Sequence, residues 1–119
     1  MGAWGGIASL QVGLAAVWTG AVRRGAVVAD MAKWFSQAPA RLAGLSGSKG
    51  VIGRGADADL VFWEPDGEST IDPANLYHRH PVSPYAGMAV RGRVVKTILR
   101  GEVIFDGGEC TGIPRGRFV

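Results

Sequence analysis

The feature that most constrains the fold is a change of residue pattern at positions 46–49. Before it, apolar residues recur at steps of three and four, which predicts one apolar helix face: Ile7, Leu10, Leu14, Val17 and Ala21. From Val51 onward, short apolar runs bounded by turn residues predict strands instead. Helices followed by strands indicate two packed layers rather than a βαβ alternation.

The helical part is predicted to hold three helices. Gly25 is a suitable stop for the first, because Arg23 and Arg24 suit the negative end of a helix. The second is expected from Val28 to Gln37. Pro39 suits the first residue of a short third helix, Pro39–Leu45, and Gly44 and Gly47 are expected to end it.

The β part contains one strong hairpin signal. Two β-rich segments, Val94–Leu99 and Glu102–Phe105, flank the dipeptide Arg100-Gly101 as a two-residue turn. A buried strand is expected at Leu60–Trp63 and a short edge strand at Ser69–Ile71. Asp72 should cap a helical turn at Pro73–Tyr77. An ordered loop is expected at His78–Tyr85 and an irregular end at Gly107–Val119. A sheet of four or five strands needs a partner face, so we expect the chain to be incomplete by itself.

Composition excludes several classes of protein. Hydrophobic residues make up 47% and charged residues 19%, which favours a folded domain over a disordered tail. The net charge of +3 comes from scattered arginines, which argues against a nucleic-acid partner. Arg23 and Arg24 interrupt the apolar stretch 7–28, which argues against a membrane segment. The single Cys110 cannot form an intrachain disulfide and fits a reducing, cytoplasmic location.

Two pairs of polar residues are candidates for a metal or acid–base site. His78 and His80 lie two apart and would share a face in a strand, as zinc ligands can. No third ligand is evident nearby, although Asp72 is conceivable, so we favour loop histidines bonded to backbone. Asp57 and Asp59 could bind a cation, but we favour one carboxylate closing a turn and the other leading into a strand.

Three glycine-containing segments could approach a ligand. Gly47–Gly50 (GSKG) lacks the spacing and flanks of a phosphate loop, and Gly53-x-Gly55 is too short for a dinucleotide site, so both predict turns. Trp4-Gly5-Gly6 precedes the first helix, where backbone groups can meet a substrate closely. The alternative for these glycines is a plain tight turn.

Four stretches together resemble one family. In metal-dependent amidohydrolases, the last short helix of the catalytic barrel is similar to Ala38–Leu45 (APARLAGL). The segment that follows it, where the chain enters a small β-sandwich, is similar to Lys49–Val61 (KGVIGRGADADLV). Ala3–Gln11 (AWGGIASLQ) and His78–Gly87 (HRHPVSPYAG) resemble allantoinases more narrowly. The resemblance runs from Ala3 to Phe118, and one departure is Ala38, where the superfamily often has Asn.

The resemblance implies a fold and an activity. The implied fold is an α/β fragment: residues 1–47 as the last helices of a (β/α)₈ barrel, and residues 48–119 as the C-terminal part of the β-sandwich. The implied reaction is hydrolytic ring opening of allantoin to allantoate at a binuclear zinc centre in the cytoplasm. The family also implies a homo-oligomer, a tetramer, with a small-molecule substrate and neither nucleic acid nor membrane as partner.

The family's metal ligands are not expected within this chain, since the last of them belongs upstream of Trp4. We therefore predict no catalytic or metal-binding residue here and no activity of the chain alone. The backbone of Gly5 and Gly6 is the expected substrate contact, because relatives bind the cyclic amide there. Two alternatives remain: a related cyclic amidase of the hydantoinase or dihydropyrimidinase type, and a non-catalytic β-sandwich module used in assembly.

Overall fold

The structure, a computed structural model, describes residues 6–111 and 116 and combines α-helices with one four-stranded sheet. The helices come first and the strands afterwards, as the change of pattern predicts. The α-helices are α1 (Gly13–Val22), α2 (Val28–Ala32) and α3 (Ala38–Leu42). No helix in the described ranges is both long and apolar enough to cross a bilayer.

The first helix begins later than predicted, and its apolar face was assigned wrongly. Ile7 and Leu10 precede the helix and are exposed, and Val17 is also exposed. The buried hydrophobic side chains of this region are instead Val12 and Trp18, and the polar Thr19 is buried beside them in sequence. The reason is a tertiary contact: Val12 packs against residues that lie some 60 to 80 positions further along the chain. Local periodicity does not reveal such contacts.

The predicted second and third helices form one helical stretch that includes a π-helical segment, Lys33–Gln37. Pro39 has no N–H and therefore cannot donate to a carbonyl one α-turn earlier. The N–H of Ala38 bonds the carbonyl of Lys33, five residues back, which widens the turn just before the proline. Gly44 follows α3 with a φ of 72°, and its N–H bonds the carbonyl of Arg41, so the predicted stop is confirmed.

The sheet has the order β1-β2-β3-β4. Its strands are Leu60–Thr70, Ala89–Leu99, Glu102–Asp106 and Glu109–Cys110. The predicted hairpin is confirmed: β2 and β3 are antiparallel around Arg100 and Gly101, with φ of 47° and 85°. Both values are the positive φ that a type I′ turn requires.

Three other expectations for the β part are settled by the structure. The two strands predicted within residues 60–71 are one strand, β1, which runs through Pro65. The expected helical turn is a 3₁₀ turn, Pro73–Asn75, capped by Asp72, whose Oδ1 accepts from the Ala74 N–H at 2.9 Å. The prediction of an irregular end was wrong at Glu109–Cys110, which form β4. Most of residues 112–119 lie outside the described residues.

The chain divides into two compact units. The first unit comprises residues 1–31 and 65–93, and the second comprises residues 32–64 and 94–119. In the first unit, Val12, Ile71 and Val90 form a buried apolar cluster, against which Ala15, Leu76 and Tyr85 pack. The predicted boundary at residues 47/48 concerns the domains of a whole enzyme and stays a prediction.

Candidate functional site

The segment proposed to contact substrate is only partly described. Gly5 lies outside the described residues, whereas Gly6 is exposed and has a φ of 152°. A Cβ built on Gly6 would meet no atom of the described residues within 4 Å. The backbone of Gly6 is therefore accessible, and its conformation favours glycine.

Two contacts hold the residues that follow Gly6. The Oε1 atom of Gln11 accepts a hydrogen bond from the backbone N–H of Tyr77 at 2.7 Å. Val12 is 6% exposed and belongs to the apolar cluster of the first unit. This chain of contacts links the segment with Gly6 to the residue just before His78-Arg79-His80, a connection that sequence spacing did not indicate.

The two histidines do not form a metal site with other residues in the described ranges. No group of three or more His, Cys, Asp or Glu side chains there could hold a metal ion. The Nε2 atom of His78 is buried and has no hydrogen-bond partner among the described residues, so the expected bond to backbone is absent at that atom. The described residues thus provide no set of ligands for the zinc centre that the resemblance implies.

Asp57 and Asp59 come together around one lysine in the second unit. The Nζ atom of Lys49 lies 2.7 Å from Oδ2 of Asp57 and also bonds Oδ2 of Asp59. The other oxygen of Asp59, Oδ1, accepts from the backbone N–H of Arg100 at 2.7 Å. Both carboxylates thus take part in a structural network of ion pairs and hydrogen bonds. The prediction that Asp57 closes a turn and Asp59 leads into a strand did not include this network.

The network shifts the pKa values of two of its members. The hydrogen bonds that Lys49 donates to Asp57 and Asp59 raise the pKa of Lys49, and the bond that Asp59 accepts from Lys49 lowers the pKa of Asp59. Both groups are therefore charged at neutral pH. The missed signal was the lysine itself, which precedes the two aspartates by eight and ten residues in a glycine-rich loop.

The glycine segments predicted as turns are turns in the structure, and one of them has a further role. Gly55 has a φ of 88° and open space around it. Gly50 has a φ of 86°, but a Cβ there would lie 2.7 Å from the Cβ of Ala40 and 2.8 Å from the carbonyl oxygen of Ser36. The loop at Gly50 thus lies directly against the helical stretch, an approach that a side chain would prevent.

Comparison with known proteins places these features in a family. The model of the amidohydrolase family matches residues 18–105. The allantoinase of Streptomyces avermitilis is 49% identical over 98% of this chain, and that of Arabidopsis thaliana is 41% identical over 90%. The chain spans 26% and 21% of those two proteins.

Solved structures show the same relationship at the level of the fold. The L-hydantoinase (dihydropyrimidinase) from Arthrobacter aurescens superposes with a TM-score of 0.83 at 30% sequence identity, covering 90% of this chain and 24% of that enzyme. The family model covers most of the chain, including Lys49, Gly50, the two aspartates and the β2–β3 hairpin. The chain therefore belongs to the amidohydrolase family.

Proposed function

We propose that this chain is part of an allantoinase, which opens the ring of allantoin by hydrolysis to give allantoate. The observation that carries the proposal is the identity of 41–49% with allantoinases along nearly the whole chain. The segments that resemble allantoinases most narrowly, around Gly6 and around His78, are connected by the hydrogen bond that the Tyr77 N–H donates to Gln11. In this proposal, residues 1–47 belong to the barrel and residues 48–119 to the β-sandwich.

Within that enzyme, this chain would contribute backbone groups that are held in position to contact the substrate. We propose that Gly5 and Gly6 present backbone groups to the cyclic amide, whose C–N bond is cleaved by addition of water. Rigid backbone donors and acceptors suit this role because they need no reorganisation during the reaction. The accessible face of Gly6 and the attachment of its segment through Gln11 and Val12 support this assignment.

The wider proposal includes location, assembly and cofactor. It places the enzyme in the cytoplasm as a homo-oligomer, a tetramer by resemblance. The implied binuclear zinc would be held by residues other than the described ones of this chain. We propose that the chain alone does not turn over allantoin.

A second candidate is a related cyclic amidase of the hydantoinase or dihydropyrimidinase type. The observation in its favour is the close superposition on the Arthrobacter aurescens L-hydantoinase. The lower identity to that enzyme, 30% against 49% for the Streptomyces avermitilis allantoinase, favours allantoin as the substrate.

Fragment complementation tests the proposal. The chain is added, with zinc, to a Streptomyces avermitilis allantoinase from which the matching segment has been deleted, and the loss of allantoin is measured. We expect hydrolysis by the mixture and none by either part alone. Association is followed separately by light scattering. Association without hydrolysis, or no association at all, would contradict the proposal.

A further inference from the structure

A cavity of ≈ 530 Å³ lies in the second unit, between the helical stretch and the loop that carries Lys49. Lys33, Gln37 and Arg41 follow one another at intervals of four residues and line its helical side. Ser46, Lys49 and Val51 line the loop side. The volume is within the range of pockets that hold small molecules.

The lining of this cavity carries cationic side chains. Three of its lining residues are cationic, and the described part of the chain contributes no Asp or Glu to the lining. The ammonium of Lys49 is held in place by Asp57 and Asp59, which stand outside the lining. The guanidinium of Arg41 has neither an ion pair nor a hydrogen bond with any residue in the described ranges. The cavity thus offers a planar, always-charged donor group that is unpaired within the described part of the chain.

We propose that this cavity binds a small organic anion through its carboxylate, with Arg41 as the principal ligand. The guanidinium matches a carboxylate in bidentate geometry, and the amide of Gln37 and the hydroxyl of Ser46 add neutral donors beside it. Val51 supplies an apolar wall for a short carbon chain. The site is independent of ring opening, because none of its residues belongs to the segment around Gly6.

The experiment is an NMR titration of the isotope-labelled 119-residue chain with succinate. We expect saturable shifts of backbone amide signals from residues 33–51. Succinamide, the neutral analogue of the same shape, should produce none. Inorganic phosphate forms a separate arm: saturation by phosphate but not by succinate would overturn the assignment to a carboxylate.

Variants identify the ligand residue. Arg41→Gln should raise the dissociation constant for succinate by about tenfold or more, because a charge-assisted hydrogen bond is lost. Arg54→Gln, at an exposed arginine of the same unit outside the lining, should leave it unchanged. Equal weakening by both variants, or equal responses to succinate and succinamide, would overturn the site.

A second measurement is independent of signal assignment. Succinate should raise the Tm of the wild-type chain and of Arg54→Gln, since a ligand that binds the native state stabilises it. The rise should be lost in Arg41→Gln. A rise of the same size in Arg41→Gln would contradict the role given to that residue.

Discussion

The two units of this chain are stabilised by different kinds of contact. The first unit contains the apolar cluster of Val12, Ile71 and Val90, and Trp18 donates its indole N–H to the carbonyl of Pro65 at 2.8 Å. In the described part of the second unit, Ala40 is the one buried hydrophobic residue. That unit depends on the close approach of Gly50 and on the charged network around Lys49.

This difference indicates how each unit should respond to change. The apolar cluster and its neutral hydrogen bond contain no titrating group, and the ion pair of Asp66 with Arg91 is exposed to solvent. The first unit should therefore depend less on pH than the second and be more sensitive to loss of side-chain volume. The second unit should be sensitive to added volume at its glycine contact and to the charge state of its network. Four substitutions test this contrast, from the largest expected effect to the smallest.

The largest effect is expected for Gly50→Ala in the second unit. Left-handed backbone strain of about 1–2 kcal/mol and overpacking of about 1–3 kcal/mol should together lower the free energy of unfolding by about 2–5 kcal/mol. The measurement is urea unfolding, with hydrogen exchange to locate the loss.

Gly55→Ala is the matched control, because its φ is nearly the same but its surroundings are open. It should show the backbone strain alone, about 1–2 kcal/mol. If the two variants are equally destabilised, steric contact at Gly50 is not what holds the loop against the helical stretch.

Ile71→Ala should produce the next largest loss, in the first unit. Ile71 is 6% exposed and lies in the apolar cluster, so truncation removes buried surface and leaves a cavity. We expect a loss of about 2–3 kcal/mol in the free energy of unfolding, at the lower end of such substitutions because the cluster is small. Val61→Ala, at a half-exposed position of β1 in the second unit, should change it much less, and a comparable loss there would refute the contrast in burial.

Gly6→Ala tests the proposed substrate contact of the first unit. A side chain at a φ of 152° should displace the backbone, and a small misplacement can lower kcat/KM by about tenfold to 100-fold. The assay is allantoin hydrolysis by the complemented enzyme. Gly13→Ala is the control, since a Cβ there also meets open space but the residue has no positive φ. Unchanged kinetics in Gly6→Ala would remove this glycine from the site.

The smallest effect is expected for Asp59→Asn, and it should depend on pH. Because the folded pKa of Asp59 lies below its ordinary value of 3.8, its contribution is present above that pH and is lost as pH falls through the lowered value. Lys49, whose pKa is raised above 10.5, loses its contribution only as pH rises through the raised value. Near neutrality, Asp59→Asn should lose less than about 1 kcal/mol in the free energy of unfolding, and the difference from wild type should shrink in acid.

The control for that pH profile is Asp66→Asn in the first unit. Asp66 pairs with Arg91 at 2.8 Å, but its side chain is 89% exposed, so solvent screens the pair. Acid unfolding followed by circular dichroism compares the two variants. A loss in Asp66→Asn as large and as pH-dependent as in Asp59→Asn would contradict the separation of the two units by contact type.

The features that sequence predicted correctly are those fixed by local chemistry. The turn at Arg100-Gly101, the cap at Asp72 and the helix stop at Gly44 each follow from the φ or hydrogen bond that one or two residues favour. Membership of the amidohydrolase family was also predictable, because the resemblance rests on contiguous motifs such as Lys49–Val61.

The features that sequence missed depend on distant contacts. The start of α1 is set by Val12, which packs against Ile71 and Val90 from another part of the chain. The ion network forms only because the loop brings Lys49 close to Asp57 and Asp59. The hydrogen bond that the Tyr77 N–H donates to Gln11 joins residues 66 positions apart. Periodicity and spacing carry no information about such pairs until the fold is known.

The most direct test of the central claim is a side-by-side rescue of two truncated enzymes by this chain. One is the Streptomyces avermitilis allantoinase and the other the Arthrobacter aurescens L-hydantoinase, each lacking the segment that this chain matches. We predict allantoin hydrolysis in the first mixture to exceed hydantoin hydrolysis in the second by about tenfold or more, relative to each intact enzyme, equivalent to about 1.4 kcal/mol. Equal rescue, or better rescue of the hydantoinase, would contradict the assignment to an allantoinase.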